Sequence, residues 1–128
     1  MNAAFVDRTL EETGLGPCPR IETARLFLRP HELGDADAIA ASLSDFKVSR
    51  MLARVPQPYD RQDALEWLVQ QAPGEPQNWN LAITKENDIH IGMVGIERRG
   101  DELHLGYWIN RSYWEQGYMT EAVRAVLQ

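Results

Sequence analysis

Cysteine is almost missing from this chain. Cys18 is the single one, so no internal disulfide can form and a reducing, cytoplasmic setting is the expectation. Basic residues are also scarce: 13 Lys and Arg against 19 Asp and Glu leave a formal net charge of -6. That balance argues against a nucleic-acid binder and against a protein held on an anionic membrane surface. No run approaches the roughly 18 apolar residues of a membrane span. The stretch through Gly16 carries Asp7, Glu11 and Glu12 without a basic start or an apolar centre, so it does not read as a signal peptide. The three histidines are His31, His90 and His104. Neither His31 nor His90 has metal-ligand spacing to a second His or Cys, so both read as surface polar groups and no metal is expected. There is no Ser/His/Asp arrangement, P-loop lysine or Cys-x-x-Cys pair, and Cys18 has no evident base partner.

What is present suits one folded domain: 128 residues, 44% hydrophobic and 25% charged. Residues 1–20 read as a tail and Gly/Pro-rich linker, and 21–128 as the domain proper, with no internal repeat. Arg25 to Arg29 alternates as a half-buried strand would, Leu26 and Leu28 inward and the two arginines outward with Phe27, and Pro30 ends it. Asp35 suits the N-cap of a helix bearing Ala36, Ile39, Ala40 and Leu43, which should stop near Asp45. Asp60 suits the cap of a second, with Ala64, Leu65, Leu68, Val69 and Ala72 as its stripe. Three alternating runs follow, Trp79 to Lys85, Ile89 to Glu97 and Glu102 to Ile109. Their short connections predict an antiparallel meander.

The segment from Leu105 to Glu121 is the most informative. It carries an alternating strand through a short loop to a helix start marked by Gly117. Unpaired N–H groups and the positive dipole end make such a start a receiver for phosphate, although a single Gly before a helix is also plain turn chemistry. A period of two places Leu103, Leu105, Tyr107 and Ile109 on one face, read as core, and His104, Gly106 and Trp108 on the other. Gly106 leaves room for a ligand to lie close to the backbone, or else accommodates a bulge.

The run Gly-Tyr-Trp-Ile, followed by Tyr-Trp-Glu-Gln-Gly-Tyr-Met-Thr-Glu-Ala at 113–122, resembles the acetyl-coenzyme A motif of the GNAT N-acetyltransferases, in the branch that acetylates the N-termini of ribosomal proteins. Ile21 to Pro30 resembles the first strand of the same branch, and the two matches bracket Ile21 to Gln128. The resemblance implies an α+β fold, a central, mostly antiparallel sheet with flanking helices. In the family a further strand, a helix and closing strands follow the last helix seen here. Gln128 falls inside a running apolar pattern, so the chain reads as lacking them, with an exposed sheet edge that invites a homo-oligomer.

The resemblance also implies acetyl-CoA as cosubstrate and a primary amine as acceptor, a protein N-terminus or a small molecule. The backbone of Trp108, Ile109 and Asn110 would meet the acetyl and pantetheine amides, and the amides of Gln116, Gly117, Tyr118, Met119 and Thr120 the phosphates, with Arg111 as a local cation. Gly117 matches the first small residue of the family's phosphate motif; Trp114 and Met119 depart from it. His104 is the candidate base or water relay where relatives often carry Glu, its alternative being an exposed or structural strand histidine. The helices and Arg50 to Tyr59 would overhang the substrate entrance. A non-catalytic acyl-CoA-binding module is the competing class.

Overall fold

The computed structural model describes residues 18–50, 52, 59–70, 78–99 and 101–127. The described elements run β1 (Ile21–Glu22), β2 (Phe27–Pro30), α1 (Ala36–Leu43), α2 (Phe46–Ser49), α3 (Arg61–Gln70), β3 (Asn78–Lys85), β4 (Ile89–Arg99), β5 (Glu102–Ile109) and α4 (Tyr118–Leu127). One antiparallel sheet has the order β1-β2-β3-β4-β5, with β5 at its edge. The predicted meander is therefore what forms. Its tight β3–β4 connection passes through Asn87 and Asp88, both at positive φ, which Asn and Asp tolerate better than other side-chain-bearing residues.

Both faces of the sheet carry helices. On one, α4 contributes Tyr118, Ala122 and Val126, spaced by four so that they share a stripe, against Leu28, Leu81, Ile83, Val94 and Ile109. On the other, Ile39, Leu43, Val48, Ala64 and Leu68 of the three remaining helices pack with Trp108. Each large aliphatic so buried contributes roughly 1.5–3 kcal/mol. The described helices include none long and apolar enough to cross a membrane.

The caps behave unequally. Asp60 Oδ1 accepts from the Asp63 N–H while Asp63 Oδ2 accepts from the Asp60 N–H, a reciprocal box that starts α3 as expected. Asp35 precedes α1, but its carboxylate turns elsewhere, as described below. After Leu43, Asp45 caps the single turn α2 through the Lys47 N–H, so the first helix gives way to a second just where its end was predicted. In the α3 stripe Ala64 and Leu68 are buried and Val69 is exposed; Ala72 lies outside the described residues, as does most of Arg50 to Tyr59.

Three expectations are corrected. Arg25 is not in a strand: the Thr23 N–H donates to the Leu26 carbonyl, closing a tight turn that sends Arg25 away from β2. Arg29, expected outward, is buried. Leu103, Leu105 and Tyr107, expected in the core, are exposed, because α4 covers only the Ile109 end of β5 and no described element lies over the remainder.

Candidate functional site

The helix start of α4 sits where the strand-loop-helix pattern places it. Gly117 has φ 82°, a left-handed conformation that disfavours any Cβ, and an added Cβ would come within 3.3 Å of Arg25 Nη2. The first helical bond described there runs from the Glu121 N–H to the Gly117 carbonyl. Among the described residues no protein acceptor is assigned to the N–H groups of Tyr118, Met119 and Thr120, which are the unpaired donors of a helix N-terminus. Beside them lies a cavity of about 410 Å³, lined by Val48, Tyr107, Trp108, Ile109, Tyr113, Trp114, Glu115, Gly117, Tyr118, Met119 and Thr120. Glu115 brings an acidic group to this wall, so an anion held here would depend on the amides and on cations nearby.

Those cations are not the one expected. Arg111 points toward α2, its Nη1 3.9 Å from Asp45 Oδ2. Arg25 takes the position instead: Nη1 donates to the Gln116 carbonyl at 2.9 Å, Nε to Glu121 Oε1 at 2.7 Å, and the guanidinium lies 4.3 Å from the Tyr118 ring centroid. Lys85 approaches the rings of Tyr113 and Tyr118 at 5.2 and 5.3 Å. A second groove, about 660 Å³, shares Gly117 and Thr120 with the cavity and carries Arg25 and Arg124. Nothing local in the sequence announces Arg25, which meets Gln116 across 91 positions. Burial favours the neutral form of Glu121, but hydrogen bonds from the Thr23 hydroxyl and from the Arg25 backbone and guanidinium hold its carboxyl below the usual range.

The strand end is more occupied than the sequence suggests. The Asn110 N–H donates to the Ile91 carbonyl at 2.7 Å. By the alternation of an antiparallel ladder, Trp108 and Asn110 direct their backbone groups into the sheet, and Tyr107 and Ile109 direct theirs to the open edge. The Ile109 carbonyl already accepts the Trp114 indole N–H at 2.8 Å. The Asn110 side chain is engaged as well, donating to Ser42 Oγ and accepting from the Ser112 N–H. Among the described residues the edge groups left open to a ligand arm are thus those of Tyr107 and the Ile109 N–H, while Trp108 offers its side chain. The Gln116 amide donates to the Ser112 carbonyl at 3.3 Å, and Gln116 is not among the residues lining the 410 Å³ cavity.

His104 is four residues along β5 from Trp108, about 13 Å by strand rise. It lines a different cavity, about 280 Å³, with Trp67, Trp79, Met93, Glu97 and Gly106. Its Nε2 lies 3.1 Å from Glu102 Oε1, and the side chain is partly exposed. At Gly106 the register against Gly95 is unbroken, which removes the bulge reading, and an added Cβ would meet nothing within 4 Å. Open space therefore does flank the glycine. Cys18 Sγ is 3.9 Å from the Asn80 carbonyl, and burial pushes its thiol up, away from the thiolate a nucleophile needs.

His31 and His90 are not surface groups. Their Nε2 atoms are 3.1 Å apart, and His31 Nδ1 lies 3.4 Å from the Asn80 carbonyl. Trp67 stands edge-on to His31, and Trp108 is near His90. Burial, reinforced by His90, pushes His31 from 6.5 down to about 3, and burial lowers His90 too. Next to them Arg29 donates from Nη2 to Asp35 Oδ1 at 2.7 Å, from Nη1 to Asp35 Oδ2 at 3.0 Å, and from Nε to Asp88 Oδ1 at 2.9 Å. Burial alone would raise Asp35; the Arg29 bonds and the Glu32 N–H outweigh it and hold the carboxyl below its ordinary value.

The edge strand β5 thus passes to a helix whose first amides face a cavity, in a sheet that carries helices on both faces. Residues 25–128 match the acetyltransferase (GNAT) domain, and the chain belongs to this family of acyltransferases. It is 29% identical over 110 residues to the uncharacterized N-acetyltransferase p20 of Bacillus licheniformis, covering 82% of this chain and 62% of that protein. Among solved structures, the ribosomal-protein-S5-alanine acetyltransferase of Vibrio fischeri superposes with TM-score 0.68 at 18% identity, covering 85% of this chain and 65% of that one. RimJ of Mycobacterium smegmatis, in complex with CoA-disulfide, gives TM-score 0.63 at 18% identity over 80% of this chain and 54% of its own. The chain thus spans less than two thirds of the length of these relatives.

Proposed function

We propose that this chain binds acetyl-CoA and forms the N-terminal and central part of an N-acetyltransferase that acetylates a primary amine, a protein N-terminus in the first instance. The observation that carries the reading is the unpartnered N–H row of Tyr118, Met119 and Thr120 beside Gly117, opening on the 410 Å³ cavity. In this reading these amides, with Gly117 at the turn, cup the diphosphate, and Arg25, held by the Gln116 carbonyl, adds positive charge beside it. The pantetheine arm follows the open edge of β5 at Ile109 and Tyr107, against Trp108 and Asn110, toward the space beside Gly106.

Acetyl-CoA supplies an activated thioester. The neutral amine attacks its carbonyl carbon, a C–N bond forms, the C–S bond breaks, and the amine gives up a proton as CoA leaves as the thiol. In this reading His104 takes that proton, through water given its distance from the strand end, with Glu102 at 3.1 Å beside the imidazole. The cavity around His104 is where the amine would wait. RimJ, crystallised with CoA-disulfide, and the ribosomal-protein-S5-alanine acetyltransferase, each a fold neighbour, support the cosubstrate and the protein acceptor respectively.

Calorimetry with acetyl-CoA tests the binding step, and free-thiol release against peptides and small amines tests transfer. Binding without thiol release from any amine would leave an acyl-CoA-binding module in place of an enzyme. No heat with acetyl-CoA would remove the proposal altogether.

A further inference from the structure

His31 and His90 are separated by 59 positions and come from different parts of the fold, one after β2 and the other at the start of β4. Two imidazole nitrogens held 3.1 Å apart need either one proton between them or one shared electrophile. Two nitrogens bound to a single zinc-like ion, each at about 2.0–2.1 Å, lie only slightly farther apart than this. A third donor is at hand: one carboxylate oxygen of Asp35 falls with the two ring nitrogens in a set whose members all lie within 4.8 Å of one another.

The surroundings resemble an outer shell. His31 Nδ1 faces the Asn80 carbonyl, which keeps the ring proton there and leaves Nε2 with its lone pair outward. Asp35 is oriented by two bonds from Arg29 and one from the Glu32 N–H; Oδ1 carries only one of the three and so retains a lone-pair position. Among the described residues the buried His90 Nδ1 has no hydrogen-bond partner, so no described bond on that side prevents the proton from residing there and freeing Nε2. Counting Asp35, Asp88 and Arg29 around two neutral rings, the local charge is one negative before any cation enters. Trp67 and Trp108 supply apolar walls.

We propose that His31, His90 and Asp35 form a binding site for one borderline divalent cation of the zinc type, each imidazole giving Nε2 and the carboxylate one oxygen. Neutral imidazole with a single carboxylate selects zinc or cobalt over magnesium or calcium, which prefer all-oxygen sites. The ion cross-links the entry to α1 with β4, so it tethers the helical layer opposite α4 to the sheet. The site is independent of the acetyl-transfer reading and stands or falls without it.

The untagged full chain, stripped with a chelator, is titrated with zinc by calorimetry and with cobalt by visible absorption. One equivalent is expected, with a rise in Tm, and magnesium should produce neither. His31→Gln and His90→Gln should each weaken zinc at least about 100-fold and remove the cobalt bands, while His104→Gln leaves both unchanged. Circular dichroism of the metal-free variants checks that they fold. Should they not, nitrogen NMR of the parent chain reads the same question: zinc should shift the ring nitrogens of His31 and His90 and leave those of His104. No binding of either metal overturns the proposal. So does binding that survives both substitutions, or ring shifts confined to His104.

Discussion

Arg25 and Arg29 stand four residues apart, and the structure treats them as opposites. The Arg25 side chain is 45% exposed, bends across a turn and clasps Glu121 and the Gln116 carbonyl at the start of α4. That of Arg29 is 5% exposed and is shared between Asp35 and Asp88 on the other side of the molecule. A half-exposed ion pair is screened by water and contributes little net stability, whereas a buried one must stay fully paired because each partner left alone is a desolvated charge. The corner around α4 therefore keeps its charged pair within reach of solvent, as the proposed ligand site requires. The corner around Arg29 is built to hold helices to the sheet.

The sharpest way to break this contrast is to remove each arginine in turn. Arg29→Ala should cost about 3–5 kcal/mol in urea unfolding, because it strands the buried Asp35 carboxylate. Arg25→Ala should cost less than about 1 kcal/mol while weakening acetyl-CoA measurably in calorimetry. Equal losses of stability would mean that exposure does not separate the two pairs.

Gly117→Ala comes next. A Cβ at φ 82° should cost about 1–2 kcal/mol, and its approach to Arg25 should disturb the anion cup enough to lower acetyl-CoA affinity about tenfold, with the fold retained by circular dichroism. Unchanged affinity would move the phosphate site away from this turn.

A pH series sharpens the α4 corner further. Glu121 is held below its ordinary value of 4.5 in the folded state, so its contribution is fully present above that value and is lost as pH falls through the folded one. The urea midpoint of the parent chain should therefore decline below about pH 4.5 more steeply than that of Glu121→Gln. Parallel curves would detach Glu121 from the stability of the corner.

The smallest change in stability belongs to His104→Gln, within about 0.5 kcal/mol, since the side chain is partly exposed and paired only with an exposed glutamate. Under the proposed chemistry kcat should nevertheless fall about 100-fold with little change in KM. An unaltered kcat would leave His104 as a strand histidine with no part in proton transfer.

Much of the architecture was legible from short-range pattern. The meander of β3, β4 and β5 follows from period-two alternation over 79–109, the α3 start from Asp60, and the α4 start from Gly117. The misreadings have a common cause. Leu103, Leu105 and Tyr107 alternate as core residues do, but alternation says which side chains share a face and not whether anything covers that face. His31 and His90 show no ligand spacing along the chain, yet the folded sheet brings them into contact across 59 positions.

The sequence alone determined the meander strands, the Asp60 cap, the glycine that starts α4 and the family to which they point, because each depends on neighbours within a few residues. Tertiary structure alone decided that Arg25 guards the helix start, that Arg29 is buried, that the Ile109 carbonyl is already taken by Trp114, and that two histidines touch. Those outcomes depend on which surfaces the folded sheet brings together and on which of them water is kept from, and no local pattern of residues encodes either.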